Sequence, residues 1–306
     1  MSFSTATSPS VLSPASVLTG GTHSDLVLQN FLPETWLSQL HLPAPDSHKG
    51  QNGKLLIIGG SNLFHAASKW SLDIASKFVD MVFYASTPSN NELVKQAKGE
   101  FWNGLVISTA QIPEYLTEAD VILIGPGMER TEATAELVNH LLKTYPTKKW
   151  VVDAGALQMA KASLFTESMI LTPHSQELVK LAEQFFKTTG SDTDAMFLTR
   201  LATLTSATIL YKGQVDQVLH QGKLWQITGG NPGMTKGGTG DVLAGLVAAL
   251  YCNHEALIAC LIGSYANKLG GDKLHQTVGP FFNASDLVAT VPETLWAAYN
   301  QAVGAL

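Results

Sequence analysis

Charge is scarce in this chain. Of 306 residues only 14% are Asp, Glu, Lys or Arg, and 25 acidic side chains outnumber 19 basic ones for a net charge of -6. A nucleic-acid surface needs clustered Lys and Arg, so that partner is excluded, and a bound phosphate would have to be held by local amides. Cysteine is nearly absent. Cys252 and Cys260 fall in what reads as one continuous helix, roughly 12 Å apart along its axis at 1.5 Å per residue. That is too far for a disulfide, and no Cys or His stands at ligand spacing to make them a metal site. They are expected to be core thiols of a protein in a reducing compartment, the cytoplasm. No apolar run approaches the roughly 20 residues of a membrane span, so no membrane partner is expected.

The first 24 or so residues contain no Lys, Arg, Asp or Glu and are rich in Ser, Thr, Gly and Pro. They lack the basic start and unbroken apolar stretch of a signal peptide and the arginines of a transit peptide. The expectation is a disordered or loosely attached tail over residues 1–40 and a single folded domain over 41–306. At 45% hydrophobic, that domain can bury one large core.

Several catalytic signatures are missing too. There is no Gly-x4-Gly-Lys-[Ser/Thr] loop and no Gly-x-Gly-x-x-Gly after a strand, which excludes a Walker-type NTPase and a nicotinamide-dependent dehydrogenase. There is no His-Glu-x-x-His and no Gly-x-Ser-x-Gly elbow, so a hydrolase reading has nothing to stand on.

What is present is a rhythm. Short continuous apolar runs at 55–58, 81–84, 121–124, 150–152, 169–171 and 208–210 recur at intervals that fit intervening helices. Continuous runs are what a parallel sheet covered on both faces requires, and a doubly wound, mostly parallel α/β fold with helices on both faces follows. A hairpin is expected at 217–226. In such folds ligands collect beyond the carboxyl ends of the strands.

The densest stretch is Asn231-Pro-Gly-Met-Thr-Lys-Gly-Gly-Thr-Gly-Asp-Val-Leu-Ala-Gly245. Gly237, Gly238 and Gly240 remove β-carbons that would keep a ligand from the backbone, and Thr239 reads as an N-cap. Val242, Leu243, Leu246, Val247 and Leu250 follow at helical spacing, so the bare amides sit at a helix N-terminus, where anions are favoured. Asp241 is out of place beside a phosphate unless it acts as a general base next to a transferring phosphoryl group. The plainer alternative is a left-handed turn with a first-turn acid.

This stretch closely resembles the signature of the ADP- or ATP-dependent NAD(P)H-hydrate dehydratases of the ribokinase-like superfamily. Further segments recur in that family's order. Gly59-Gly-Ser-Asn-Leu-Phe-His-Ala-Ala67 follows the first strong strand; alone it is a turn made for ligand approach or tight packing, while the resemblance makes Ala67 a substrate contact. Ala66 replaces the family's glycine, and its methyl is expected to narrow the pocket. Gly125-Pro-Gly127 is an ordinary strand exit or, by resemblance, a substrate wall formed by Gly125 and Gly127, with Met128 and Glu129 departing from the usual pattern. Asp153 caps the next helix or helps hold a metal-bound phosphate. Gly155 stands where relatives usually carry a second acid.

Thr172-Pro-His-Ser-Gln-Glu177 gives His174 as a substrate contact and Glu177 as a residue near phosphates and Mg²⁺, reached through water; surface and first-turn roles are the alternatives. Lys212, Gly213, Gln214, Val215 and Asp216 lie along the nucleotide by the same resemblance. The activity implied is dehydration of the 6S hydrate of NADH or NADPH, driven by ADP or ATP with Mg²⁺ and with Asp241 as base, in a homo-oligomer. A tail this short is not expected to hold the epimerase domain sometimes fused to the family. Two rivals stay open: a kinase for a vitamin alcohol of the hydroxyethylthiazole or pyridoxine type, and a nucleotide sensor without catalysis.

Overall fold

The computed structural model describes residues 26–97, 103–186, 194–201 and 204–304. Their strands are β1 (Val27–Gln29), β2 (Lys54–Ile58), β3 (Met81–Ala85), β4 (Leu105–Ile107), β5 (Val121–Ile124), β6 (Lys149–Val152), β7 (Met169–Leu171), β8 (Thr208–Tyr211), β9 (Asp216–His220) and β10 (Lys223–Ile227). The helices are α1 (Pro33–Leu37), α2 (His65–Ala75), α3 (Pro88–Gln96), α4 (Ile112–Glu118), α5 (Glu132–Thr144), α6 (Ala154–Met159), α7 (Ser175–Phe186), α8 (Asp194–Leu201), α9 (Thr239–Asn253), α10 (Ala256–Val278) and α11 (Ala284–Gly304).

All the strands join one sheet in the order β1-β10-β9-β8-β7-β6-β5-β2-β3-β4. Its pairs are parallel except where β9 meets β8 and β10, so the expected doubly wound α/β fold is present. Gln221 and Gly222, both at positive φ (48° and 73°), turn the expected hairpin between β9 and β10. That conformation at both central residues is the one whose twist suits a two-residue hairpin.

Residue alternation divides the core. Leu55, Ile57, Val121, Leu123, Val151 and Ile170 point into one layer with α9 and α10, while Leu56, Ile58, Ile122, Ile124, Val152 and Leu171 point into the other with α5, α6 and α7. The apolar runs are continuous because both faces are covered. α9 goes further than its spacing predicts. Ala244, Gly245, Ala248 and Ala249 are buried along with the larger residues, because a Cβ on Gly245 would lie 2.6 Å from Ser71 O and α2 packs directly against it.

Cys252 and Cys260 do not share a helix: α9 ends at Asn253, His254 and Glu255 are extended, and α10 begins anew. Both thiols are free, and burial raises the pKa of each. Residues 26–40, grouped with the tail on composition, are docked: β1 pairs in parallel with β10, and Leu37 of α1 is 2% exposed. A three-residue strand and a five-residue helix are too short for periodicity to mark. The expectation for residues 1–25 lies outside the described residues. Among the described residues no helix is long and apolar enough to cross a membrane.

Candidate active site

Every segment singled out from sequence ends at the same edge of the sheet, because β2, β5, β6, β7 and β8 run parallel and their carboxyl ends lie side by side. Glycine sets how closely the tips approach. Gly125 holds φ +125°, and a Cβ there would stand 1.8 Å from Asp153 O; Gly127 holds φ +71°, its Cβ position 3.0 Å from the Ala67 methyl. Gly125, Gly127 and Ala67 thus form one shelf.

Beside it opens a cavity of about 630 Å³, walled by His174, Lys212, Gly213, Gln214, Asp216, Thr239 and Gly240 from the expected set, with Gly229–Asn231, Met234, Leu243, Asn267 and Lys268. Ala67, Gly125, Gly127, Glu177, Val215, Gly237, Gly238 and Asp241 do not line it. Ala66 turns elsewhere: its methyl narrows nothing here and lines a separate cavity of about 230 Å³ with His65 and Tyr84.

The helix that opens into the cavity starts at Thr239, one residue earlier than Thr239 as cap would require. Gly238 occupies the cap position at φ +99°, where a Cβ would lie 2.5 Å from the Trp70 ring. Only glycine takes that conformation at no cost. Thr239 instead spends its hydroxyl on Met234 O (2.6 Å) and Lys236 O (3.0 Å), which ties the loop to the first turn. No heavy atom lies within 4 Å of a Cβ built on Gly237, and only Lys212 Nζ, at 3.7 Å, near one on Gly240. The turn is thus open at Gly237 and Gly240, while Gly238 is buried and the Thr239 N–H donates to Lys236 O (3.4 Å); a helix N-terminus of this kind favours an anion.

The electrostatic centre is Lys212. Its Nζ donates to Asp153 Oδ1 at 2.7 Å, and Thr172 Oγ1 donates to the same oxygen at 2.6 Å. Asp153, 1% exposed, therefore makes no helix cap; its carboxylate turns away from α6 toward the ammonium. Burial works against the charge of Lys212, but Asp153, Glu177 and Asp241 outweigh it and hold its pKa above the usual lysine value. Asp241 shows the converse. Burial, then the like charge of Asp153, push its pKa up to about 7, with Lys212 pulling back and Glu177 adding to the rise. It stands between the two halves of the site. The Ser71 hydroxyl reaches both Ala67 O (3.3 Å) and Asp241 O (2.8 Å), so the backbone of Asp241 abuts the shelf while its carboxylate feels Lys212 in the cavity wall.

Glu177 is buried and both its oxygens are used, Oε1 by Gln158 Nε2 (3.0 Å) and Oε2 by the His174 N–H (3.1 Å). His174 accepts the Gln176 N–H at Nδ1 (3.2 Å), which places its own proton on Nε2. Asp216 borders the cavity with its carboxylate turned inward, accepting from Gly213 N–H (2.9 Å) and Ser264 Oγ (2.7 Å). It shapes the 212–216 loop. Gly155, read from sequence as a departure from the family pattern, leaves no room for a side chain: a Cβ would sit 2.1 Å from Met128 O.

Asp153 reads from sequence as a cap or a metal-phosphate residue and proves to be the partner of Lys212, whereas Asn267 and Lys268 were not among the expected site residues. The signal for the latter was a polar pair inside an otherwise apolar helical stretch.

The family model that matches residues 55–293 is that of NAD(P)H-hydrate dehydratase. The bifunctional NAD(P)H-hydrate repair enzyme Nnr of Methanocaldococcus jannaschii is 34% identical over 257 residues, covering 82% of this chain and 49% of its own. The ADP-dependent (S)-NAD(P)H-hydrate dehydratase of Enterococcus faecalis is 29% identical, covering 76% of this chain and 81% of its own. The chain spans about half the length of the archaeal relatives it matches. A solved ADP/ATP-dependent NAD(P)H-hydrate dehydratase from Bacillus subtilis, co-crystallised with ATP and Mg²⁺, shares the fold at a TM-score of 0.72 and 23% identity, over 88% of this chain and 97% of its own.

Proposed function

The chain belongs to the NAD(P)H-hydrate dehydratase family, and from that premise we propose that it repairs damaged nicotinamide cofactor, dehydrating the 6S hydrate of NADH or NADPH at the expense of ADP or ATP. The observation that carries the reading to residues is Asp241, with a pKa pushed up to about 7, its backbone tied through Ser71 to Ala67 and its carboxylate acting on Lys212 in the wall of the cavity. A general base works best with a pKa near the operating pH.

Hydroxide is a poor leaving group, so the reaction needs phosphorylation first. Asp241 takes the proton of the substrate's 6-hydroxyl as that oxygen attacks the terminal phosphorus. The bond to the bridging oxygen breaks, and AMP leaves if the donor is ADP. Charge on the transferring group faces the amides of Gly237–Gly240 and the Lys212 ammonium, donors already in place before reaction. Loss of phosphate from that carbon, with a proton from the adjacent ring carbon, restores the double bond. His174, at the cavity edge, contacts the substrate in the same reading, and Gly213 to Asp216 run along the nucleotide.

Mg²⁺ fits the donor set. Asp153 pairs with Lys212, and Glu177 and Asp241 also act on its charge, so the acids outnumber the one ammonium. Among the described residues no three-ligand cage exists, so the ion would be held by Asp153 and, through water, Glu177, together with the nucleotide's phosphates. Bound there, it would neutralise phosphate charge. We place ADP first as donor, following the name of the Enterococcus relative. The cytoplasm belongs to this proposal, supported by two unpaired thiols, as does a homo-oligomer, supported by uncovered apolar surface at Phe281 and Trp296.

The test is incubation with NADH hydrate, ADP or ATP and Mg²⁺, following the absorbance of the dihydronicotinamide. Recovery dependent on nucleotide is expected. No recovery, with phosphorylation of hydroxyethylthiazole or pyridoxine in its place, would overturn the reading.

A further inference from the structure

α10 brings Asn267 and Lys268 into the wall of the large cavity. Lys268 is fully employed, its Nζ donating to Gly213 O (3.3 Å), Gln214 O (3.1 Å) and Gly229 O (3.2 Å). Asn267 is not. Its side chain is 4% exposed, and Oδ1 has no donor within reach. Native structures rarely bury an amide oxygen unpaired, because doing so forfeits its hydration with nothing in return. Gln217 Oε1 is in the same state among the described residues, but Gln217 does not line the large cavity.

The phosphate end of the large cavity is fixed by Gly240 and Lys212. Asn267 shares the cavity wall with Leu243 and Met234, which supply apolar surface. A flat, largely apolar group with a hydrogen-bond donor on its rim fits there. Adenine is such a group. Its 6-amino donor sits beside the N7 acceptor, and an amide side chain meets the two with its oxygen and its NH₂ together. A 6-oxo purine instead turns a second acceptor toward Oδ1.

Resting on the nucleotide-dependent reading above, we propose that Asn267 reads the base of the phosphoryl donor by accepting from the 6-amino group of adenine, and so sets a preference for adenine over 6-oxo purine nucleotides. The oxygen left unpaired by folding is paired by the ligand.

Isothermal titration with ADP, IDP and 2′-deoxy-ADP, without hydrate present, tests this on the wild-type protein, Asn267→Leu and Asn267→Asp. Wild type is expected to bind ADP at least about tenfold tighter than IDP, the scale of one buried acceptor left unpaired. Asn267→Leu should bind the two equally. Asn267→Asp keeps the acceptor and should keep most of the ratio while binding both more weakly. Wild-type affinities for ADP and IDP within about twofold, or an undiminished ratio in Asn267→Leu, would overturn the proposal. So would weakened 2′-deoxy-ADP with IDP unaffected, which moves the contact to the ribose. Hydrate turnover is measured on the same preparations: its absence with the ADP-to-IDP ratio intact refutes the dehydratase reading and leaves base reading standing.

Discussion

Replacing Asp241 by Asn should stabilise the ligand-free protein at alkaline pH. In the folded protein the Asp241 carboxyl titrates near 7, against 3.8 as its ordinary value. A raised acid pKa means that the folded state holds the proton more tightly than the unfolded one, so stability is greatest below the unfolded value and falls as pH climbs through the folded one. At about 1.4 kcal/mol per pH unit, the rise of about three units sets a ceiling of about 4 kcal/mol. Water entering the cavity lowers this, and a gain of about 2–4 kcal/mol at pH 8.5 is expected. The assay is urea unfolding of both proteins between pH 5 and 8.5, with the m-value checked for constancy. The advantage of the variant should shrink steadily toward pH 5. A variant no more stable than wild type at pH 8.5, or an advantage flat with pH, would show that this carboxylate is not held at a cost.

Lys212→Met removes the one cation shared by three acids and should destabilise the fold by about 3–5 kcal/mol at pH 8, read by urea unfolding. Any remaining activity should have its acid limb moved above pH 7, since Lys212 lowers the Asp241 pKa. Gly238→Ala, forced to φ +99° and against the Trp70 ring, should lose about 2 kcal/mol or more and weaken ADP binding; Gly237→Ala, with open space around it, should stay within about 0.5 kcal/mol of wild type. Gly155→Asp should lose about 3 kcal/mol in thermal or urea unfolding through the clash with Met128 O.

The six strands marked by continuous apolar runs were legible because burial on both faces leaves no other pattern. β1 and β4, three residues each, were not. Of the site, backbone-driven features were readable: glycine needed at Gly238 and Gly125 is a local demand written into the chain. Partnerships between side chains far apart in sequence were not. Asp153 at a strand end reads as a cap until the sheet order brings Lys212 to 2.7 Å. Asp216, in a loop that reads as nucleotide-binding, spends its carboxylate on Ser264 and Gly213 because α10 packs beneath that loop. The break between α9 and α10 was hidden because His254 and Glu255 carry neither proline nor glycine.

The account stands on Asp241 as the group that deprotonates the attacking hydroxyl, and Asp241→Asn tests it when nucleotide binding and turnover are measured together. ADP affinity by titration should stay within about threefold of wild type, while recovery of dihydronicotinamide from NADH hydrate, with matching phosphate release, should fall by about a thousandfold or more. Turnover within about tenfold of wild type would contradict the account.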